Sequence, residues 1–271
     1  MTKHPSLSSL IILFVGGLLS VLSVIALSPS PLMAADPSND VYFHTPGIPS
    51  GPSAPTANDN RYPQVGSLDS RLLMWFIIQQ HTYFGGFVFA LPVFCVLLEF
   101  LGLVARNPAM ALRYDGLAQD LLKVALLALS VTAAVGSLML TMFITLYPSF
   151  MQYMGGTFKS MMPIYALVFV GTTFLTIAYY YSWERMAAPG SKWVHLSIGL
   201  LAVVCGTSLL LLANSWSAFM MAPSGVDGQG RYLGNPWHLL RSALWNPLNL
   251  HRFLADIMSG GAVVLAYACY R

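Results

Sequence analysis

Residues 72–104 read LLMWFIIQQHTYFGGFVFALPVFCVLLEFLGLV, an almost wholly apolar run with His81 near one end and Glu99 near the other. The two are eighteen residues apart, five turns at 3.6 residues per turn, so a helix places both on one stripe. At 1.5 Å per residue they stand about 27 Å apart along the axis, close to the roughly 30 Å of a bilayer's hydrocarbon core. One helix therefore predicts an imidazole toward one membrane face and a carboxyl toward the other. Ionisable residues inside a membrane are costly, and each one is a functional hypothesis.

The rest of the chain agrees with a membrane solvent. Of 271 residues, 56% are hydrophobic and only 8% charged, whereas a soluble domain carries about 25% charge. The reading is an all-α, polytopic transmembrane helix bundle: five spans plus an N-terminal signal or anchor helix. A formal charge of +3 with no basic run argues against nucleic acid. Cys95, Cys205 and Cys269 all lie in apolar runs and read as small core residues. No CxxCH occurs, so no haem is attached covalently.

Residues 1–35 carry Lys3, an apolar run over Leu10–Leu27, and the small residues Ala34 and Ala35. This is the pattern of a secretory signal, cleaved or kept as an anchor, and it places the adjoining segment outside the cytoplasm. Residues 36–70 are rich in Pro, Ser, Asn and Gly and read as an extended extracytoplasmic segment. A five-helix domain over 71–271 comes next, with spans near 72–104, 118–147, 161–183, 193–220 and 248–270. Short Arg106–Asp120 and Glu184–Lys192 loops face the cytoplasm. A Tyr147–Met161 loop and the 222–247 segment, with Trp237 and Trp245 suited to the interface, face outside. The last span ends at Arg271, so the reading expects a fragment or one half of a larger membrane assembly.

His81 precedes Gly85-Gly86, and small residues one turn on leave room for a flat haem. A hydrogen bond to a neighbouring helix is the other reading of that imidazole. Glu99 at the inner end either snorkels to water or serves chemistry. His251 opens the last span at the level of His81, as a second haem ligand or an interfacial histidine. Arg252 and Asp256 are i,i+4 and placed to pair. His195, with no partner evident in the sequence, reads as structural, and His238 beside Trp237 as a surface or interface residue.

Taken together, these residues resemble the first half of subunit I of the cytochrome bd quinol oxidases. The resemblance runs from about Ser70 to the end. It is carried by Ser70-Arg71-Leu72, His81, Glu99 and His195, by Ala213-Asn214-x-Trp216 and Leu244-x-Asn246-Pro247, and by Phe253 and Ser259-Gly260. It implies haem of b or d type, one or two per chain, with His81 as an axial ligand at the oxygen-reacting haems. It also implies a low-spin haem ligand at the position of Ala255, which cannot ligate. His251, one turn earlier, is the substitute, with Arg252 able to meet a haem propionate.

The resemblance also implies two carboxylates on the third span, but Tyr165 and Thr173 occupy those positions. Glu99 is then the carboxylate placed to carry protons. The family's later helices, with the quinol loop and a Met ligand, lie beyond the match, so other membrane subunits are expected to supply them. The expected function is a haem-binding membrane subunit of a bd-like respiratory oxidase, passing electrons from quinol or a c-type cytochrome toward oxygen. A non-catalytic electron-relay or anchor subunit is the alternative.

Overall fold

The structure, a computed structural model, describes residues 63–270. The signal or anchor segment and most of the 36–70 segment lie outside the described residues. The described chain opens with two short antiparallel strands, β1 (Gln64–Val65) and β2 (Leu68–Asp69). Their turn uses Gly66 at φ +63°, a conformation open to glycine at little cost. Asp69 then caps the first helix by accepting the Arg71 N–H at 2.7 Å.

Among the described residues there are seven helices: α1 (Ser70–Val104), α2 (Pro108–Leu146), α3 (Pro148–Thr157), α4 (Met162–Tyr181), α5 (Pro189–Met221), α6 (Pro236–Leu239) and α7 (Trp245–Tyr270). Five of them, α1, α2, α4, α5 and α7, are long and apolar enough to cross a membrane. Proline in the first turn opens α2, α3, α4, α5 and α6. The missing proline N–H costs nothing there, and its fixed φ suits the helix.

Two expected loops are helical. The sequence predicts a loop over 106–120, but α2 begins at Pro108, capped by the Asn107 side chain on Ala109 N–H at 2.9 Å. At 39 residues α2 is about 58 Å long, far more than a bilayer core, so its first turns project beyond the apolar layer. Those turns carry Arg113 and Asp115. The 147–161 loop likewise contains α3, despite Gly155-Gly156.

The bundle is organised around α1. Half of its most apolar window is buried inside the protein, against 11–17% for the other four spans. It packs along α2, α5 and α7, and α4 packs along α5. Contact with α7 is close because small residues face each other. A Cβ added at Gly260 would lie 2.4 Å from Ala90 Cβ, so no larger residue fits without separating the helices. Phe89 and Phe253 fill the next layer with ring centroids 5.4 Å apart.

Beyond the Ser70 end, the 222–247 segment folds over α3. Tyr153 donates to the Gly230 carbonyl at 2.7 Å, and Ser242 donates to Ala222 O at 2.8 Å. Phe158 packs between Trp216 and Phe219 beneath this cover. Trp237 is exposed, as an interfacial tryptophan would be.

Candidate functional site

Two polar centres sit at opposite ends of α1. The first is His81. Its Nδ1 lies 3.1 Å from the Thr132 carbonyl oxygen on α2. A carbonyl can only accept, so Nδ1 carries the proton and Nε2 keeps its lone pair. This is the tautomer of a metal-ligating histidine, whose second nitrogen is anchored to a carbonyl. The ring rests on Gly136, where an added Cβ would lie 2.8 Å from His81 Cε1. Thr132 Oγ1 is buried there without a hydrogen-bond partner.

The glycine pair after His81 divides its work. A Cβ at Gly85 would meet nothing within 4 Å, so this position borders open space. A Cβ at Gly86 would lie 2.8 Å from Asp256 Oδ1, so Gly86 serves the approach of α7. Room for a planar group therefore lies beside Gly85 alone. A fixed tautomer, a free Nε2 and adjacent space together fit a haem ligated by one histidine.

The second centre surrounds Glu99. The snorkelling alternative is overturned, because Glu99 is fully buried. Tyr179 on α4 donates to Glu99 Oε2 at 2.6 Å, and His195 Nδ1 on α5 lies 2.5 Å from Oε1. Lys192 Nζ stands 3.3 Å from the same oxygen and 2.7 Å from Asp115 Oδ1 on α2. Trp183 donates to Asp115 Oδ2 at 3.2 Å, and Lys192 Nζ sits 4.1 Å over the Trp183 ring. His195 thus has partners that the sequence did not reveal. The cluster joins α1, α2, α4 and α5, and Gly199 makes it possible: a Cβ there would lie 2.6 Å from the Tyr179 ring.

The hydrogen-bond geometry fixes one proton in this cluster. His195 Nε2 faces the Tyr179 carbonyl at 2.8 Å and must donate to it. Nδ1 then faces a carboxyl oxygen, and that contact also needs a proton. Either the imidazole holds it against a carboxylate, or Glu99 holds it and donates to a neutral imidazole. Glu99 and His195 therefore share one proton between two short-range positions. On the far side, the Asp115 side chain is 37% exposed, which opens the cluster toward water.

The other predicted residues lie apart from these centres. His251 is exposed and projects away from the face of α7 formed by Asn249, Phe253, Asp256 and Gly260, which is buried. The described residues show no ion pair between Arg252 and Asp256, correcting the i,i+4 pairing. Instead, the Arg252 charge lies in electrostatic reach of both the His81 ring and the Asp256 carboxyl. His238 is half-buried in the outer cover, with its Cβ close to Gly225. Tyr165 donates to the Leu212 carbonyl and lies 3.0 Å from Ser215 Oγ.

The sequence model of cytochrome bd terminal oxidase subunit I matches residues 70–271. The chain belongs to that family. It is therefore a multi-pass membrane subunit of the bd oxidase type, and haem cofactors are general to that family. No curated protein matches the chain.

The resemblance motifs of this bd-family subunit now have physical roles. Ser70 is buried and shares a 2.9 Å hydrogen bond with the Tyr147 hydroxyl, closing α1 on α2. Asn214 donates to Asn249 at 2.8 Å, joining α5 to α7, and Trp245 donates to the Leu211 carbonyl at 3.0 Å. Lys192, Asp115, Tyr179 and Asp256 are not singled out by the sequence as members of a site. The Lys192–His195 spacing on a span's first turns is the one local sign; the others are contacts between distant segments.

Proposed function

We propose that this protein is the haem-carrying membrane subunit of a bd-type respiratory oxidase, passing electrons from quinol or a c-type cytochrome toward oxygen. The observation that carries it is His81: Nδ1 tied to the Thr132 carbonyl, Nε2 free, and open space at Gly85. His81 would hold the haem, which when bound supplies an iron centre for electron and oxygen chemistry. Arg252, free of an ion pair among the described residues and close to His81, is placed to meet a propionate. His251 would serve a second haem, of b or d type, on the outer side of α7, where a membrane partner completes the pocket.

Oxygen reduction consumes protons, and in this reading Glu99 holds them. The Asp115–Lys192 contact opens toward the Arg106 side, and the Glu99–His195 contact stores one proton within the membrane. The cytoplasmic side of a bacterial inner membrane would then be the Val104 end. A pyridine haemochrome assay on the purified chain tests the reading. His81→Ala should remove one Soret component from a folded protein, and an unchanged spectrum would refute the assignment.

A second reading is a non-catalytic relay or anchor subunit of a respiratory complex. It is favoured by Tyr165, whose hydroxyl bonds to Leu212 and Ser215 where the resemblance implies a carboxylate. Measured oxygen consumption by the assembled complex separates the two.

A further inference from the structure

Asp256 has no part in the chemistry assigned to His81 and Glu99. It is nine-tenths buried, and its Oδ2 has no hydrogen-bond partner. Its Oδ1 faces Gly86, which is close to the midpoint of α1. The carboxyl therefore lies between the levels of His81 and Glu99, inside the apolar span, where an ionised and unpartnered carboxylate is poorly tolerated. Gly86 is required at this contact, since a Cβ there would come within 2.8 Å of Oδ1. An apolar residue at 256 would pack in this position without any desolvation cost.

The groups facing Asp256 are few. On its own helix, Arg252 and His251 lie one turn away and act on it without contact. On α1, Gly86 presents only backbone, and His81 is five residues earlier, about 7.5 Å along the axis. On α5, the nearby polar pair is Asn214 with Asn249 of α7, neither of which titrates. Arg252 influences both His81 and Asp256, so the two belong to one electrostatic neighbourhood. Glu99 is thirteen residues beyond Gly86, about 20 Å farther along α1.

Resting on the haem at His81, we infer that Asp256 is a proton-holding carboxylic acid between Glu99 and that haem, nearer the haem, and that its proton is coupled to the haem's charge. Beside a ferric haem the ionised carboxyl would be offset by the haem's positive charge, and the protonated acid leaves no unpaired charge in the membrane once that positive charge is gone. When a quinol-class donor gives one electron to the ferric haem, the site's charge falls by one. Asp256, ionised while the haem is ferric, then binds one proton from solvent on Oδ2, and it returns that proton to solvent when the electron leaves. Charge balances at each step, because one proton follows one electron. The residue acts through the field and is not itself a ligand. It restores a protonatable carboxyl to a chain with Tyr165 and Thr173 in place of the family's pair.

The test uses the full chain in lipid and reads infrared difference spectra. Electrochemical reduction with a dye mediator should produce a carboxylic-acid carbonyl band. Asp256→Asn should abolish that band, leave haem content and Soret position unchanged, and flatten the pH dependence of the haem midpoint potential. Glu99→Gln should leave the band in place, and Gly86→Ala should shift its frequency through the added Cβ. A wild-type spectrum without the band, or a band that persists in Asp256→Asn, overturns the proposal. A pH-jump difference spectrum reads the same acid in haem-free protein, so loss of the haem reading and loss of the Asp256 assignment give different results.

Discussion

Lys192 Nζ lies 3.3 Å from Glu99 Oε1, and the two side chains are only 8% and 0% exposed. A buried ion pair is weak as net stabilisation, but removing one partner strands the other in a medium that cannot solvate it. Lys192→Met should therefore destabilise the bundle by about 3–5 kcal/mol. Adding Glu99→Gln in the same chain should recover a large part of the loss, although Asp115 also loses a partner. A double-mutant cycle in detergent denaturation measures the coupling, and additive effects would show that the pair is not energetically linked.

Gly136 sets the position of the His81 ring. Gly136→Val should push the imidazole away from the Thr132 carbonyl and free its tautomer. Loss of a hydrogen-bond partner behind a metal ligand typically costs about 10–100-fold in metal affinity. Haem titration of the apoprotein should show a weakening of that order while helicity by circular dichroism stays constant. Unchanged haem affinity would remove the Thr132 contact from the site.

His251 faces out of the described bundle, so any haem it holds lies against a neighbour. His251→Ala should leave the haem count of the isolated chain unchanged and lower that of the assembled complex by one. Equal counts in both preparations would make His251 an interfacial residue only.

The span order places the 222–247 cover and the α1–α2 turn on opposite sides. Single cysteines at Gln229 and Ala109, both exposed, should react with a membrane-impermeant reagent from opposite faces. The native exposed Cys269 is replaced by Ser for this measurement. Labelling of both from one face would contradict five crossings.

Asp227 shapes the outer cover. Burial pulls its carboxyl upward, but hydrogen bonds from Arg231 and Gln229 outweigh this and hold it below the ordinary carboxylate range. A folded-state value below the unfolded one stabilises the loop above the unfolded value, near ~4. That contribution is lost as pH falls through the lower folded value. Hydrogen exchange at Arg231 and Leu233 should accelerate in acid relative to the bundle, and Asp227→Asn should show the faster exchange already at neutral pH. Acid-insensitive protection in the wild type would argue that Asp227 is not the cause.

The sequence alone determined that this is a five-span helical membrane protein, because apolar runs of bilayer length leave helices as the solution that satisfies the backbone. It also marked His81 and Glu99, since ionisable residues stand out in apolar surroundings, and it carried the family resemblance from Ser70 onward. The helices inside the expected 106–120 and 147–161 loops were signalled by Pro108 and Pro148 but masked by charge and glycine. Tertiary structure decided what the polar residues do. Glu99 and His195 are ninety-six positions apart, yet they share a proton because Gly199 lets Tyr179 and α5 close around α1. Gly86 and Asp256 meet because α1 and α7 pack through small residues. Those pairings depend on how helices pack and rotate against each other, and no local pattern of residues encodes that.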